Sequence, residues 1–214
     1  MSALESDWTE DAEGRLLMAA IPLTPTLGWT SRLLGRAASA AGLSAGEAML
    51  VAPNGARDLA ALLSRRHDQA ALAALAGVDA SKLKVRERIA RAVEARIEVA
   101  AADGPATRCW AGYLALPRNA PLAARLVWTS ADAIWRWAGD RSTDENHYSK
   151  RALLAAILVS TLAVRLNAGP EAARAHLATQ IGRVMAYERL KARLRPADLA
   201  HTLATALGRL RYGR

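Results

Sequence analysis

The chain has 214 residues, of which 52% are hydrophobic and 23% charged, with one cysteine and no phenylalanine. This composition excludes a disordered chain and an internal disulfide, and it fits one domain of ordinary size. The net charge of +9 lies entirely in residues 150–214, which hold 12 basic and 3 acidic residues, whereas residues 1–149 hold 17 of each. An anionic partner is therefore expected to meet the C-terminal third.

The composition and the apolar periodicity predict an all-α protein with about nine or ten helices, because Ala, Leu and Arg dominate and no alternating strand pattern occurs. The first helix covers residues 8–20 and is expected to end at Pro22 and Pro25. The second covers residues 30–41, with Thr30 as its candidate cap. Further helices are predicted after Ser44, over 56–76, 83–101, 105–116 and 120–138, from Ser142 to the break at Asn167, and over 171–194 and 197–211.

Two of these helices are apolar around most of their surface. One covers 120–138, and the other carries the run 152–164, thirteen residues without a charge. That run is too short to span a bilayer and is typical of a buried helix. The acidic N-terminus has no apolar core of a signal peptide, so a cytoplasmic protein is expected. Such helices need either complete burial in protein or a lipid between them.

The segment 139–151, GDRSTDENHYSKR, lies between these two helices and has no aliphatic side chain. Ser142 and Glu145 have the spacing of a capping box, which explains part of this polarity. The remaining polar groups exceed what a cap requires and predict a surface that docks a protein partner. This docking patch consists of Asp140, Asp144, Asn146, His147, Tyr148 and Arg151.

Signals of catalysis are few. Residues 42–46, GLSAG, match the nucleophile-elbow pattern, but that elbow needs a preceding strand and a helix is predicted there. Asp144 and His147 have the spacing of half a di-iron motif, and no second pair exists. Asp132 is expected to pair with an arginine such as Arg136. The sequence therefore predicts no metal site, no cofactor and no catalytic centre, and an enzyme of unknown class is the third alternative.

Residues 28–46, GWTSRLLGRAASAAGLSAG, resemble the helix-turn-helix of tetracycline-repressor-type regulators. After the turn that family has an aromatic pair and a phosphate-binding lysine, where this chain reads EAMLVAPNGARDL. Residues 1–58 also carry 4 basic and 7 acidic side chains, although affinity for DNA depends on phosphate contacts. We expect a repressor-like fold that has lost DNA binding. The alternative is a ligand-responsive transcription regulator.

Six segments between Asp7 and Leu166 resemble one known family: DWTEDAEGRLLMAAIP, GWTSRLLGRAA, KVRERIARAVEARIE, LALPRNAPLAARLVW, ADAIWRWAGDRSTD and YSKRA. They are similar to the accessory lipid-binding family of ubiquinone (coenzyme Q) biosynthesis, the ninth assembly protein of that pathway. The resemblance implies a tetracycline-repressor-like fold without DNA binding, a pocket for isoprenoid lipid, and assistance to a di-iron hydroxylase that docks near residues 139–151. The family commonly has Trp where this chain has His147, so the expected interface offers less apolar area.

The predicted function is a non-catalytic accessory protein that binds an isoprenoid ubiquinone precursor and presents it to a membrane-associated di-iron hydroxylase. One structural unit is expected to comprise helix-turn-helix-like helices (1–60), a lipid-binding core (61–170) and basic amphipathic helices (171–214). The lipid pocket is predicted to be lined from the two apolar helices by Leu122, Leu126, Trp135, Leu153, Ile157 and Leu158.

The last predicted helix is the candidate membrane contact. Its leucines fall on one face, Arg209 lies on the opposite face and further arginines lie at its end, as in a helix that rests on an anionic membrane surface. Reversible, peripheral association with the inner face of the membrane is expected, and a homodimer formed through helix faces is the expected assembly. The predicted contact residues are Leu199, Leu203, Leu207, Leu210, Arg209 and Arg211.

Overall fold

The computed structural model describes the backbone of residues 3–140 and 145–193 and the side chains of residues 8–140 and 147–186. Over these ranges the chain forms ten α-helices and no strand, which confirms the predicted all-α class. The helices are α1 (Ala3–Ala20), α2 (Thr24–Leu27), α3 (Ser31–Ala40), α4 (Ala45–Val51), α5 (Ala56–Ala74), α6 (Val85–Ala102), α7 (Gly104–Leu114), α8 (Ala120–Trp137), α9 (Glu145–Ala168) and α10 (Pro170–Arg193).

Helical structure continues past α1, where the sequence predicts an end. Pro22 lies in the first turn of a 3-10 helix, Ile21–Leu23, and Pro25 lies in the first turn of α2. Proline is tolerated there because the first turn does not use its backbone N–H groups in helical hydrogen bonds. The chain turns only at Gly28, whose φ of 61° belongs to the left-handed region that favours glycine.

Side-chain caps begin the next two helices. Thr30 Oγ1 accepts a hydrogen bond from the backbone N of Leu33, which confirms the predicted cap of α3. Ser44 and Glu47 form a reciprocal capping box at α4, with N···O distances of 2.8 and 3.2 Å. Ser44 therefore caps a helix that follows another helix, and the match to the nucleophile-elbow pattern has no structural basis. 

The buried apolar side chains form two clusters. The N-terminal cluster joins α1, α3, α4 and α5 to α7 and the first half of α8, and Leu33 and Leu63 are fully buried in it. The C-terminal cluster joins α6, the second half of α8, α9 and α10 around Val93 and Leu154. Leu162 of α9 packs against both clusters. The two clusters therefore meet at α8 and α9, the two helices whose sequences are apolar on most faces.

One helix in the described ranges, His147–Ala168 within α9, is long and apolar enough to cross a membrane by length and composition. The sequence argument considered only the run 152–164, whereas α9 has 24 residues. It packs against α6, α8 and α10. Its Arg165 also donates two hydrogen bonds of 2.8 Å to the Glu98 carboxylate of α6. These are the contacts of a helix within a bundle, and helices of this kind have the same length and apolarity as membrane spans.

Candidate functional site

A cavity of about 270 Å³ lies between α5, α6, α7, α8 and α9, where the two clusters meet. It is open beside α7 and α9, where its lining residues Ala115, Val159 and Ala163 are exposed. An apolar cavity of about 150 Å³ holds benzene, so this one has room for a substituted ring or a short branched hydrocarbon. Its walls are mainly apolar and include Ile97, Trp110, Leu114, Leu126, Leu162 and Leu166.

Three buried polar residues form the inner end of the cavity: Ser64 of α5, Arg96 of α6 and Ser130 of α8. Asp68 lies one turn after Ser64 on α5 and holds Arg96 and Ser130 in place. Its Oδ1 accepts from Arg96 Nε at 2.6 Å and from Ser130 Oγ at 2.7 Å. The carboxylate thereby ties α5, α6 and α8 together. The cavity thus runs from a buried polar end to an open apolar mouth.

His67 of α5 is fully buried beside these residues. Its Nε2 lies 3.0 Å from Asp103 Oδ2, and none of the described residues bonds its Nδ1. Burial and, to a lesser extent, the positive charge of Arg96 lower the pKa of His67 to about 4, against the opposing effect of Asp103. At neutral pH the ring is therefore uncharged and donates Nε2–H to the Asp103 carboxylate.

Two of the six predicted lipid-contacting residues, Leu126 and Leu158, line the cavity. The other four residues point elsewhere. Sequence periodicity shows that a helix is apolar on all sides, but it does not show which side of the helix borders a cavity. Leu122 is buried in the N-terminal cluster, Ile157 is buried in the C-terminal cluster, Trp135 packs against the C-terminal cluster and donates to the Lys150 carbonyl, and Leu153 is 42% exposed.

The polar inner end was not predicted from the sequence, although α6 carries a signal for it. Ala92 and Ala100 lie one turn on either side of Arg96, and both are fully buried. A charged residue with alanines four positions before and after it lies on the same helix face as those alanines, and here that face points toward the core. Such a residue requires a buried partner, which here is Asp68 on a different helix.

The predicted docking patch is divided between surface and interior. Tyr148 is 65% exposed, and its ring centroid lies 6.1 Å from that of Trp128 and 5.2 Å from that of His147. Asp144 and the side chain of Asn146 lie outside the described parts of the chain. In the described part, Tyr148 with Trp128 and His147 therefore supplies the accessible aromatic surface of the patch.

Arg151 was assigned to the docking patch, and its placement at the surface is wrong because only 2% of it is exposed. Its Nε donates to Asp132 Oδ1 at 2.6 Å, and its Nη1 donates to Asp140 Oδ2 at 3.2 Å. Lys150 Nζ donates to the other Asp140 oxygen at 2.9 Å. Asp132 also pairs with Arg136 at 2.7 Å, as predicted. The two pairs of Arg151 join α9 to α8 and to the residue Asp140 that follows α8, inside the molecule.

The structure describes little of the predicted membrane contact, and it gives separate observations on metal binding and DNA binding. The last predicted helix, with all six predicted membrane-contact residues, lies outside the described residues. Among the residues that the structure describes, no group of three or more His, Cys, Asp or Glu side chains is placed to hold a metal ion. In α4, which follows the turn of the predicted helix-turn-helix, Glu47 is the charged residue and Met49 and Leu50 are exposed. A helix of this composition offers DNA no phosphate-binding cation.

Comparison with known proteins identifies relatives of the chain. The COQ9 family model matches residues 120–188, which include all of α8 and α9 and most of α10. Ubiquinone biosynthesis protein COQ9, mitochondrial, of Bos taurus is 31% identical over 169 residues, covering 74% of this chain and 51% of that protein. The protein of the same name from Homo sapiens is 30% identical over 169 residues, covering 74% and 52%. The chain therefore spans about half the length of the curated relatives it matches.

Proposed function

Because the chain belongs to the COQ9 family of ubiquinone biosynthesis proteins, we propose that it is a non-catalytic accessory protein of that pathway. It binds an isoprenoid ubiquinone precursor and presents it to a membrane-associated di-iron hydroxylase. The main support is the apolar cavity, which opens at one side and has α8 and α9 as two of its walls. An apolar pocket with few polar groups suits a lipid whose remaining chain stays outside.

Two neighbouring alanines of α8 provide the test. Ala123 lines the cavity, whereas Ala124 is exposed. Ala123→Trp places a large ring in the cavity, and Ala124→Trp adds the same ring to the surface. We expect organic extraction and mass spectrometry to find isoprenoid quinone or lipid in the parent and in Ala124→Trp, and much less in Ala123→Trp.

Other outcomes of that extraction separate the alternatives. Equal lipid in both variants, or no isoprenoid in the parent, would mean that the cavity is not the lipid site. Nucleic acid that co-purifies with the parent would favour the ligand-responsive transcription regulator instead. The composition of α4, which lacks Lys and Arg, argues against that alternative.

The hydroxylase is proposed to dock on the exposed aromatic surface formed by Tyr148, Trp128 and His147. Tyrosine and tryptophan commonly contribute most to interface affinity because they bury a large area with few rotatable bonds. Tyr148→Ala should weaken capture of the hydroxylase in a pull-down. Leu50→Ala, which removes another exposed apolar side chain on the distant helix α4, should leave capture unchanged. If the two variants bind the hydroxylase equally well, this surface is not the docking site.

Delivery of the lipid is proposed to occur at the inner face of a membrane, with the C-terminal segment as the contact. Residues 171–214 carry 9 basic and 3 acidic side chains, which favours an anionic lipid surface. The named relatives are mitochondrial proteins.

A homodimer through helix faces also stays a prediction, and the exposed Leu153 and Val159 of α9 are apolar residues that such a face would use.

A further inference from the structure

The inner end of the cavity carries hydrogen-bond donors that have no partner among the described residues. Arg96 is 5% exposed, and Nε is the guanidinium nitrogen that bonds within the described part of the chain. Its two terminal nitrogens make no hydrogen bond to any described residue, nor does Ser64 Oγ, and both residues line the cavity. Buried charged donors are normally satisfied, since leaving them without partners costs free energy.

The charges around these donors determine which ligand group complements them. Asp68 neutralises Arg96, and Ser130 donates its hydroxyl to the same carboxylate oxygen. The cluster is therefore close to neutral overall and offers N–H and O–H donors. A neutral oxygen that accepts hydrogen bonds fits such a site. A carboxylate or phosphate would introduce a negative charge without a compensating cation, and a hydrocarbon would leave the donors unpaired.

The shape of the cavity gives the ligand a direction. Ser64 and Arg96 lie at the buried end, and the exposed side chain of Val159 lies at the mouth. A volume of about 270 Å³ accommodates a substituted ring but not a ring together with a long polyprenyl chain. A lipid bound by its ring would therefore extend its tail through the mouth, along the exposed apolar residues of α9.

We propose that Ser64 and Arg96 form a head-group subsite that binds a neutral ring oxygen, such as a quinone or phenol oxygen, and holds the lipid with its ring inward and its tail outward. This inference rests on the proposed function, because it assigns the polar end of the lipid held in the same cavity. In this orientation the protein shields the ring from water, and the lipid must withdraw before its ring meets a partner.

Two probes of similar shape test the subsite. Duroquinone is a tetramethyl ring with two carbonyl oxygens, and durene is a tetramethyl ring without oxygen. Each gives one methyl signal, so ligand-observed NMR titration of the full chain reports the affinity of both. Duroquinone should bind about tenfold or more tightly than durene, as expected for one or two hydrogen bonds from a buried cation and a hydroxyl.

Substitutions at the inner end identify the donors. Ser64→Ala removes a hydroxyl that has no partner in the described part of the chain, so it should fold normally, weaken duroquinone binding by about 3- to 10-fold and leave durene unchanged. Arg96→Lys keeps a cation for Asp68, removes the terminal amino groups of the guanidinium, and should act in the same direction. Leu162→Ala, in the apolar wall, is the control and should change the affinity of both probes alike.

The possible results separate this subsite from the proposed function. Equal affinity for the two probes, or unchanged duroquinone binding in both inner-end variants, would overturn the subsite while the cavity remains a lipid site. Failure of the parent to bind either probe would contradict both proposals. Thermal unfolding of each variant shows whether a loss of binding reflects a loss of folding.

Discussion

Arg136 and Arg151 both pair with Asp132, but they differ in their exposure to water. The Arg136 side chain is 75% exposed, whereas that of Arg151 is 2% exposed and also reaches Asp140. An exposed pair contributes little because water screens it, and a buried pair that loses one member leaves an uncompensated charge. Arg151→Met should lower the free energy of unfolding by about 3–5 kcal/mol. Arg136→Met should change it by less than about 1 kcal/mol.

Urea unfolding of the two methionine variants measures this difference at nearly constant side-chain volume. Losses of equal size would show that Asp132 and Asp140 do not need a buried cation. The salt dependence of the parent protein, which retains Arg151, provides a second test. High salt should change its free energy of unfolding little, since buried ion pairs are screened far less than exposed ones.

The buried imidazole of His67 makes stability depend on pH. Its pKa is about 4 in the folded protein and about 6.5 in an unfolded chain, so below pH 6.5 the unfolded state binds the proton first. The stabilisation is complete above pH 6.5 and is lost as the pH falls toward 4. About 3 kcal/mol should disappear over this interval.

Denaturant titrations between pH 7.5 and 4 test this dependence. His67→Gln is the matched variant, because glutamine places an N–H donor near the position of Nε2 and does not titrate. Its stability should fall less steeply than that of the parent over the same range. Parallel profiles would mean that other groups, such as the carboxylates, cause the loss.

Single residues were predictable where their partners lie in the same helix. The pairing of Asp132 with Arg136 and the cap at Thr30 both follow from short spacing, and the structure contains both. Arg151 could not be assigned in this way because its partners lie on α8 and just after it, 19 and 11 positions away. Local spacing shows which side chains a helix brings together, but not which helix packs beside it.

At the scale of elements, the sequence predicts most of the helices. The helices predicted over 56–76, 83–101 and 120–138 differ from α5, α6 and α8 by at most two residues at either end. Their hydrophobic periodicity is strong, and glycine, proline or a cap marks their limits. The short helix α2 was missed because proline was interpreted as a breaker. A pocket at the two apolar helices was predicted, but most of its lining was not, because the cavity arises from the packing of five helices, which no single helix encodes.

The two sides of α9 should respond differently to added volume. Ile157 is buried in the C-terminal cluster, whereas Val159 is exposed at the mouth of the cavity. A well-packed core cannot accept a larger ring without strain. Ile157→Trp should therefore lower the free energy of unfolding by about 1–3 kcal/mol, and Val159→Trp should change it by much less.

Thermal unfolding with quantification of extracted lipid distinguishes these two variants. Ile157→Trp should keep its lipid content as long as it folds, because Ile157 does not line the cavity. If Ile157→Trp instead expels lipid without a loss of stability, the lipid occupies the C-terminal cluster. The sequence-based assignment of Ile157 to the lipid pocket would then be the correct one.

At the scale of the whole molecule, the charge is distributed unevenly. Residues 1–149 are neutral in total, and the entire +9 lies beyond them. Each cation near an anionic membrane contributes roughly 1 kcal/mol at low salt, and the attraction falls within a Debye length. The full chain should therefore float with anionic liposomes at low salt and sink at high salt, and a chain that ends at Arg195 should float less.

Liposomes of neutral lipid provide the control for that experiment, since they should retain neither chain. Flotation of both chains to the same extent would remove the last predicted helix as the membrane contact. Failure of both to float would mean that the lipid reaches the cavity by another route. The exposed apolar residues of α9 would then be the next surface to examine.

The cavity also affects the volume of the molecule. A cavity of about 270 Å³ in each molecule corresponds to roughly 160 mL/mol, more than the roughly 20–100 mL/mol that accompany unfolding of a typical protein. Hydrostatic pressure favours whichever state has the smaller volume, so the part of the cavity that water leaves unfilled makes the folded protein sensitive to compression. A lipid ring that fills the void removes this sensitivity. Binding of the lipid should therefore make the folded protein less compressible, and the protein without lipid should unfold at a lower pressure than the protein with lipid.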